Sequence, residues 1–184
     1  MRYASPARLV LVATLACVLA ALSAGVGGAS AAAKPARTVS TANPLEELVF
    51  VQLNGVRRAH GLAPLRRSSP LAAAADVHSR AMAVHGFFAH ESRDGSTFWK
   101  RVKRFYGSAG YRSWSVGENL LWASPDLSAA RAVKLWMSSP GHRKNILTAR
   151  WREIGLSAIT VAGAPGVFGG RDVVIITTDF GARS

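Results

Sequence analysis

The sequence predicts an α+β domain in which helices cover a small antiparallel sheet. Apolar side chains recur at helical spacing in several segments that start near a proline or end near a glycine. Residues 154–161 and 172–180 are instead rich in Val, Ile and Thr and are separated by a Gly/Pro loop, which indicates a hairpin. A third extended segment, residues 114–122, completes the sheet, and so few strands need helices packed against them.

Residues 1–31 have the layout of a secretory signal peptide. Arg2 and Arg8 precede an apolar run over residues 9–26, and small residues then lead to Ala31, where we expect cleavage. A membrane anchor is the alternative, because the run is close to the shortest length that spans a bilayer. The small residues after the run and the lack of a flanking charge cluster favour export.

Beyond this leader we expect a flexible linker, residues 32–42, and one folded domain, residues 43–184. Cys17, the single cysteine, lies in the leader, so the fold must rest on a packed core rather than on disulfides. Removal of the leader takes two arginines and no acid, which lowers the formal net charge from +13 to +11. Such a charge favours weak attraction to anionic cell-envelope polymers or lipids, and a merely soluble basic surface is the alternative.

Five helices are predicted from their start and end signals. Asn43-Pro44-Leu45-Glu46 resembles a capping box with proline at the first helical position, and Gly61 ends that helix. Ser69-Pro70 starts a second helix that ends by Gly86. The remaining helices are predicted at residues 96–106, at residues 125–137, and from Ser139-Pro140 to Ala149.

Three short blocks place a histidine or a glutamate beside glycine and bulky apolar residues. The blocks are residues 86–90, 117–120 and 136–142, and they contain His90, Glu118 and His142. Two imidazoles and one carboxylate suit a divalent metal such as zinc, which accepts nitrogen and oxygen ligands. The three residues are far apart in sequence, so only the fold can bring them together. Scattered polar groups, each satisfied on its own, are the alternative.

Further short motifs follow one another in a fixed order along residues 45–180. They are Asn54-Gly55-Val56-Arg57, Gly61-Leu62-Ala63-Pro64-Leu65, His78-Ser79-Arg80-Ala81-Met82-Ala83, Phe88-Ala89-His90, Gly117-Glu118-Asn119-Leu120, Trp136, Gly141-His142-Arg143-Lys144-Asn145-Ile146-Leu147 and Glu153-Ile154-Gly155. Together they resemble the bacterial branch of the CAP superfamily, which groups cysteine-rich secretory proteins, insect venom antigens and plant pathogenesis-related proteins. The resemblance implies a three-layer α-β-α sandwich, in agreement with the predicted helices and strands.

The resemblance also implies a central cleft that holds two histidines and two acidic residues. His90, Glu118 and His142 match three of these positions, while Ser139 stands at the position of the second acid. The missing carboxylate removes an oxygen ligand or an orienting group, which weakens any metal site. The acidic residues that could substitute for it are Glu153, Glu91 and Asp94.

Several other residues have simpler interpretations. His78 and His85 are predicted to be surface or edge groups of the second helix, and Glu153 to be a solvent-facing residue. The basic stretch at residues 100–104 is typical of a solvated helix face, and contact with anionic envelope polymers or lipid headgroups is the alternative. Asn119 is a candidate for holding the cleft loop through side-chain hydrogen bonds to the backbone, in a structural or a functional role.

Three functions follow as hypotheses. The first is a secreted binding module, extracellular or in the cell envelope, whose cleft holds a divalent metal or a small ligand. The second is metal-assisted or acid-base hydrolysis with Glu118 as the catalytic base. The third, which the resemblance implies, is lipid or sterol binding in a groove separate from the cleft. No interleaved basic and aromatic surface indicates a specific nucleic-acid partner, and the sequence sets no oligomeric state.

Overall fold

A computed structural model describes residues 38–184 as five strands, five α-helices and one short 3-10 helix. The strands and α-helices are β1 Val39–Thr41, α1 Asn43–Ala59, β2 Arg66–Arg67, α2 Ser69–His85, α3 Phe98–Phe105, β3 Trp114–Ala123, α4 Ala129–Ser138, α5 Pro140–Ile146, β4 Glu153–Ala164 and β5 Arg171–Arg183. The 3-10 helix, Gly166–Phe168, lies in the loop of the β4–β5 hairpin. The predicted signal peptide lies outside the described residues.

The first two helices follow their sequence signals with one difference. Both have proline in the first turn, and α2 ends at Gly86, whose φ of 67° is the left-handed conformation that glycine adopts most readily. The capping box predicted for α1 does not form, because the N-cap is Ala42 rather than Asn43. Glu46 instead accepts a hydrogen bond from the backbone N–H of Ala158 at 2.7 Å, which ties α1 to β4.

Two predicted boundaries are wrong. The end of the predicted linker, Val39–Thr41, forms β1 and pairs antiparallel with β4, since Val and Thr are good strand formers and β4 offers a free edge. The fourth helix was predicted from Pro125, but α4 starts after Ser128, whose Oγ accepts a hydrogen bond from the N–H of Arg131. This side-chain cap fixes the start of the helix.

The strands form one sheet in the order β1-β4-β5-β3, and the short β2 runs parallel to β4. The predicted hairpin is confirmed as β4 and β5, which pair antiparallel. β3 pairs antiparallel with β5 from Trp114 opposite Arg183 to Ala123 opposite Val174. β3 lies at one edge of the sheet, so side chains from the helices on either face can lie near it.

Helices pack on both faces of the sheet, which confirms the predicted α+β fold and its three layers. On one face, α1, α4 and α5 pack against side chains such as Leu156 and Ile176. On the other face, α2 packs against Ile159 and Ile175, and α3 packs against α2. The alternation along β4 and β5 follows from the two-residue period of a strand, which sends neighbouring side chains to opposite faces.

Gly155 lets α2 lie directly on the backbone of β4. A Cβ atom at this position would lie 2.1 Å from the backbone nitrogen of Ala72, so no larger residue fits without moving the helix. The close packing fixes the position of α2 and of the loop that follows it. Among the helices of residues 38–184, none is long and apolar enough to span a membrane.

Candidate functional site

Glu118 lies on β3 beneath the layer formed by α2 and α3. Its side chain points to the same face as that of Leu120, as residues two apart on a strand do, and none of it is exposed to solvent. Its Oε1 accepts a hydrogen bond from Nδ1 of His90 at 2.8 Å, and its Oε2 accepts one from the guanidinium of Arg101. Both oxygens of this buried carboxylate therefore have a donor, as a buried charge requires.

Arg101 lies on α3 and is 4% exposed. Besides the ion pair with Glu118, its Nη1 donates to Oγ of Ser92 at 3.1 Å and to the carbonyl of His90 at 3.3 Å. The prediction of a solvated helix face is wrong for this residue. Phe98, Arg101 and Val102 recur at the i, i+3, i+4 spacing of one helix face, and that spacing was the available signal of burial.

His90 lies in the loop after α2, and its side chain is 47% exposed. The hydrogen bond to Glu118 raises the pKa of His90 above its ordinary value, while partial burial acts in the opposite direction. The contact also fixes the orientation of the ring, because Nδ1 is committed to the carboxylate. Nε2, on the other side of the ring, is the nitrogen left for a ligand.

His142 lies on α5, which packs on β3. Burial lowers the pKa of His142, and the nearby charge of His90 lowers it further, so the two imidazoles lie within electrostatic reach. Asn119 holds this helix, because its Nδ2 donates to the carbonyl of His142 at 3.1 Å. Asn145 adds bonds from its Nδ2 to Oδ1 of Asn119 and to the carbonyl of Glu118, both at 2.9 Å. The predicted side-chain to backbone role of Asn119 is confirmed.

Asp179 is an acidic residue of this cluster that sequence reasoning missed. It lies opposite Glu118 in the β3–β5 register and is fully buried. Within residues 38–184 neither of its carboxyl oxygens has a hydrogen-bond donor. Burial, and then the charge of Glu118, raise the pKa of Asp179 well above its ordinary value. Asp179 therefore keeps its proton to a higher pH than an ordinary aspartate, and a protonated carboxyl can donate to Glu118 where a second carboxylate could not.

The three carboxylates considered as substitutes for the missing acid lie in different surroundings. Glu153 accepts a hydrogen bond from the hydroxyl of Tyr106 at 2.5 Å, so it is not simply solvent-facing. Asp94 accepts a hydrogen bond from the backbone N–H of Ser96. Glu91 is near enough to raise the pKa of His90 by its charge. Of these three, Glu91 is the one that interacts with a cleft histidine.

His78 was predicted to lie at the surface, and this prediction is wrong. It is 1% exposed, its Nε2 lies 2.8 Å from the carbonyl of Ala89, and its ring meets that of Phe87 edge to face. Burial, and then the charge of Arg101, lower the pKa of His78 to about 4, so the imidazole is neutral at pH 7. His85, at the end of the same helix, is exposed as expected.

The donor set does not fit a metal site in which Glu118 is a direct ligand. Residues 38–184 contain no group of three or more His, Cys, Asp or Glu side chains that could hold a metal ion. Both oxygens of Glu118 accept hydrogen bonds, one of them from Nδ1 of His90. A carboxylate that binds Nδ1 of a histidine is instead the arrangement that orients the ring for binding through Nε2.

A family model described as the cysteine-rich secretory protein family, CAP, matches residues 51–169. The chain belongs to the CAP family. Among curated relatives, the uncharacterized protein YkwD of Bacillus subtilis is 31% identical over 120 residues, or 65% of this chain and 44% of YkwD. The uncharacterized membrane protein YlbC of the same organism is 31% identical over 111 residues, 60% of this chain and 30% of YlbC. This CAP chain thus matches less than half the length of either relative.

Solved structures of other bacterial proteins share this fold. An extracellular protein with an SCP domain from Bacillus anthracis is 27% identical, with a TM-score of 0.58 over 76% of this chain and 41% of its own. An outer surface protein of Borrelia burgdorferi has a TM-score of 0.63 at 16% identity and covers 80% of this chain and 98% of its own. At such low identity, the second likeness concerns the fold alone.

Proposed function

We propose that this CAP protein is an exported binding module, extracellular or in the cell envelope, whose cleft binds a small ligand through His90 and His142. The contact that carries the proposal is the hydrogen bond from the half-exposed His90 to the fully buried Glu118. It leaves one oriented imidazole nitrogen at the surface, beside a second imidazole of lowered pKa. Glu118 then acts by orienting His90 rather than by touching the ligand.

A divalent ion such as zinc is the first ligand to test. The two imidazoles would hold the ion through ring nitrogens, and Glu118 would supply the carboxylate that orients His90. The Lewis acidity of such an ion would polarise a bound carbonyl or water. With Ser139 at the position of the second family acid, we expect the site to bind zinc weakly.

Isothermal titration calorimetry with zinc tests this proposal. The purified parent protein should release heat on binding, and the single variants His90→Ala and His142→Ala should each weaken binding at least tenfold. His60→Ala is the matched control, because His60 is an exposed residue at the C-terminus of α1. No heat from the parent, or equal heat from all four proteins, would show that the cleft is not a zinc site.

Export and an envelope location are supported by the secretion-type leader of the sequence and by the names of relatives described as extracellular, secretory or outer surface proteins. The high positive charge suits contact with anionic envelope polymers or lipids. Cell fractionation of the producing organism tests the location. Recovery of the chain, with its first 31 residues intact, in the cytoplasm would contradict it.

The hydrolase hypothesis requires Glu118 to act as a base. Its carboxylate is buried and receives hydrogen bonds from Arg101 and His90, so it would have to exchange one of these donors for a substrate proton. Activity assays of the parent and of Glu118→Gln on a panel of substrates test the hydrolase hypothesis, and an inactive parent would contradict it. The lipid or sterol hypothesis is tested by solvent extraction of the purified protein, where absence of bound lipid counts against it.

A further inference from the structure

A pocket lies between α2, the segment at residues 92–94, and α3. Its volume is about 280 Å³. The residues that line it are Val77, His78, Ala81, His85, Ser92, Arg93, Asp94, Arg101 and Arg104. Neither His90 nor His142 is among them. The volume is close to the lower end of pockets that hold small organic ligands, so a compact molecule fits.

The wall of this pocket is cationic. It carries three arginines and one acid, and the charge of Arg101 is balanced by Glu118 outside the pocket. Arg93 and Arg104 are exposed, and within residues 38–184 neither takes part in an ion pair. Hydrogen bonds from Ser96, and a smaller effect of Arg104, lower the pKa of Asp94, so this acid is ionised and offsets one of the two free charges.

Arg101 is the buried member of the cationic wall. Arg101 is 4% exposed and lines the pocket, and its Nε has no hydrogen-bond partner in the described part of the chain. This atom is itself buried, so Arg101 contributes positive charge to the pocket wall rather than a free donor. His78, on α2, also lines the pocket, and it is neutral at pH 7 because burial lowers its pKa to about 4.

The wall formed by α2 carries two apolar side chains beside His78 and His85. Val77 on α2 is 49% exposed although it is β-branched and apolar, and Ala81 lies one turn further along the same helix. Residues four apart share a face of a helix, so the two side chains form one apolar surface facing the arginines. A pocket that combines an apolar wall with a few convergent charged groups is typical of sites for small organic ligands.

We propose that this pocket binds a small organic anion, a carboxylate or a phosphate monoester carried on a compact apolar group. Arg93 and Arg104 hold the anionic group, and Val77 and Ala81 contact the apolar group. A guanidinium suits both anions, because its parallel N–H donors match two oxygens at once. The anion binds next to Arg101, which also holds Glu118, so this pocket and the cleft share one residue.

Titration of the purified protein with phenyl phosphate, benzoate, inorganic phosphate and phenol, at constant ionic strength, tests the proposal by calorimetry. We expect phenyl phosphate or benzoate to bind, and inorganic phosphate and phenol to bind at least tenfold more weakly. If inorganic phosphate binds as tightly as the aromatic anions, the apolar wall does not contribute to binding. If phenol binds as tightly, the arginine charges do not contribute. No binding of either aromatic anion would overturn it.

Two pairs of variants locate the site. Arg93→Gln/Arg104→Gln should weaken binding of the aromatic anion at least tenfold. Lys100→Gln/Lys103→Gln is the matched control, because it removes the same charge from exposed positions of α3 that do not line the pocket. An equal loss in both double variants would indicate attraction to the overall charge and would overturn the assignment.

The apolar wall is tested separately. Val77 is half exposed, so Val77→Ser should fold normally and should weaken phenyl phosphate binding by about threefold to tenfold while leaving inorganic phosphate unchanged. Unchanged phenyl phosphate binding would contradict the assigned contact. Zinc titration of Arg93→Gln/Arg104→Gln should match the parent, which separates this site from the proposed function of the cleft.

Discussion

Two arginines are buried on opposite sides of the sheet, and different kinds of partner hold their guanidinium groups. Arg57 on α1 donates to the carbonyls of Ala63, Ile146 and Thr148 at 2.7 to 3.0 Å, and burial lowers its pKa. It contacts no acidic side chain in the described part of the chain. Arg101 on α3 forms an ion pair with the buried Glu118, and Glu118 also binds a half-exposed histidine.

The difference separates a structural role from a functional one. The Arg57 region ties together backbone segments that lack partners of their own, including the C-terminus of α5. The Arg101 region confines charge instead: its guanidinium, the carboxylate of Glu118 and the buried Asp179, whose pKa is raised, lie next to the half-exposed His90. A buried charge pair contributes little net stability compared with apolar packing, so its presence beside a surface histidine indicates a site.

The largest expected effect comes from Arg101→Met, which leaves the charge of Glu118 buried without its cation. We expect the free energy of unfolding to fall by about 4 kcal/mol, measured by urea denaturation. The double variant Arg101→Met/Glu118→Gln should recover about half of this loss, because no unpaired charge remains. If Arg101→Met were as stable as the parent, Arg101 would not be the cation that compensates the buried charge of Glu118.

Arg57→Met should cost about 3 kcal/mol, because three carbonyl groups lose their donor. No second substitution of an acidic side chain should restore this loss, in contrast to the Arg101 region. Arg58→Met is the matched control, since Arg58 is exposed and should change stability by less than about 0.5 kcal/mol. Equal effects of both substitutions would show that Arg57 is not a structural tie.

The pH dependence of stability should separate the two regions further. His78 lies in the Arg101 region, and its pKa falls from 6.5 in the unfolded chain to about 4 in the fold. Between these pH values the unfolded state therefore binds more protons than the folded state. The stability that depends on neutral His78 is complete above pH 6.5 and is lost as the pH falls towards 4. We expect a loss of about 3 kcal/mol. Urea denaturation at pH 7 and pH 4.5 measures it, and His78→Phe should show a smaller difference between the two.

The smallest effect concerns His90. Because the hydrogen bond to Glu118 raises its pKa, the contact stabilises the fold below the ordinary pKa and loses this contribution as the pH rises through the raised value. Glu118→Gln should bring the pKa of His90 down towards about 6.5, as followed by NMR of the ring protons. Glu47→Gln, at an exposed position of α1, is the control and should leave the His90 resonance unchanged. An unchanged pKa in Glu118→Gln would contradict the assigned pairing.

Local sequence patterns predicted much of the fold and part of the cluster around Glu118. Proline at the helix starts, Gly86 after α2 and the β-branched hairpin strands are local signals, and each led to an element that the structure contains. His90 and Glu118 were chosen from short blocks, and the fold places them in contact. Arg101 was missed because charge was given more weight than its spacing, and Asp179 because the sequence offers no sign of which strand lies beside it.

The sequence alone determined the class of the fold and most of its helices and strands, since turn, capping and periodicity signals act between residues close together in the chain. Only the tertiary structure decided which charges meet. The pairing of Glu118 with Arg101, its position opposite Asp179 and the burial of His78 depend on strand register and on how α2 and α3 pack on the sheet. Strand register and helix packing result from many contacts between residues far apart in the chain. The energy of a charged pair depends on how deeply it is buried, which no local sequence pattern records.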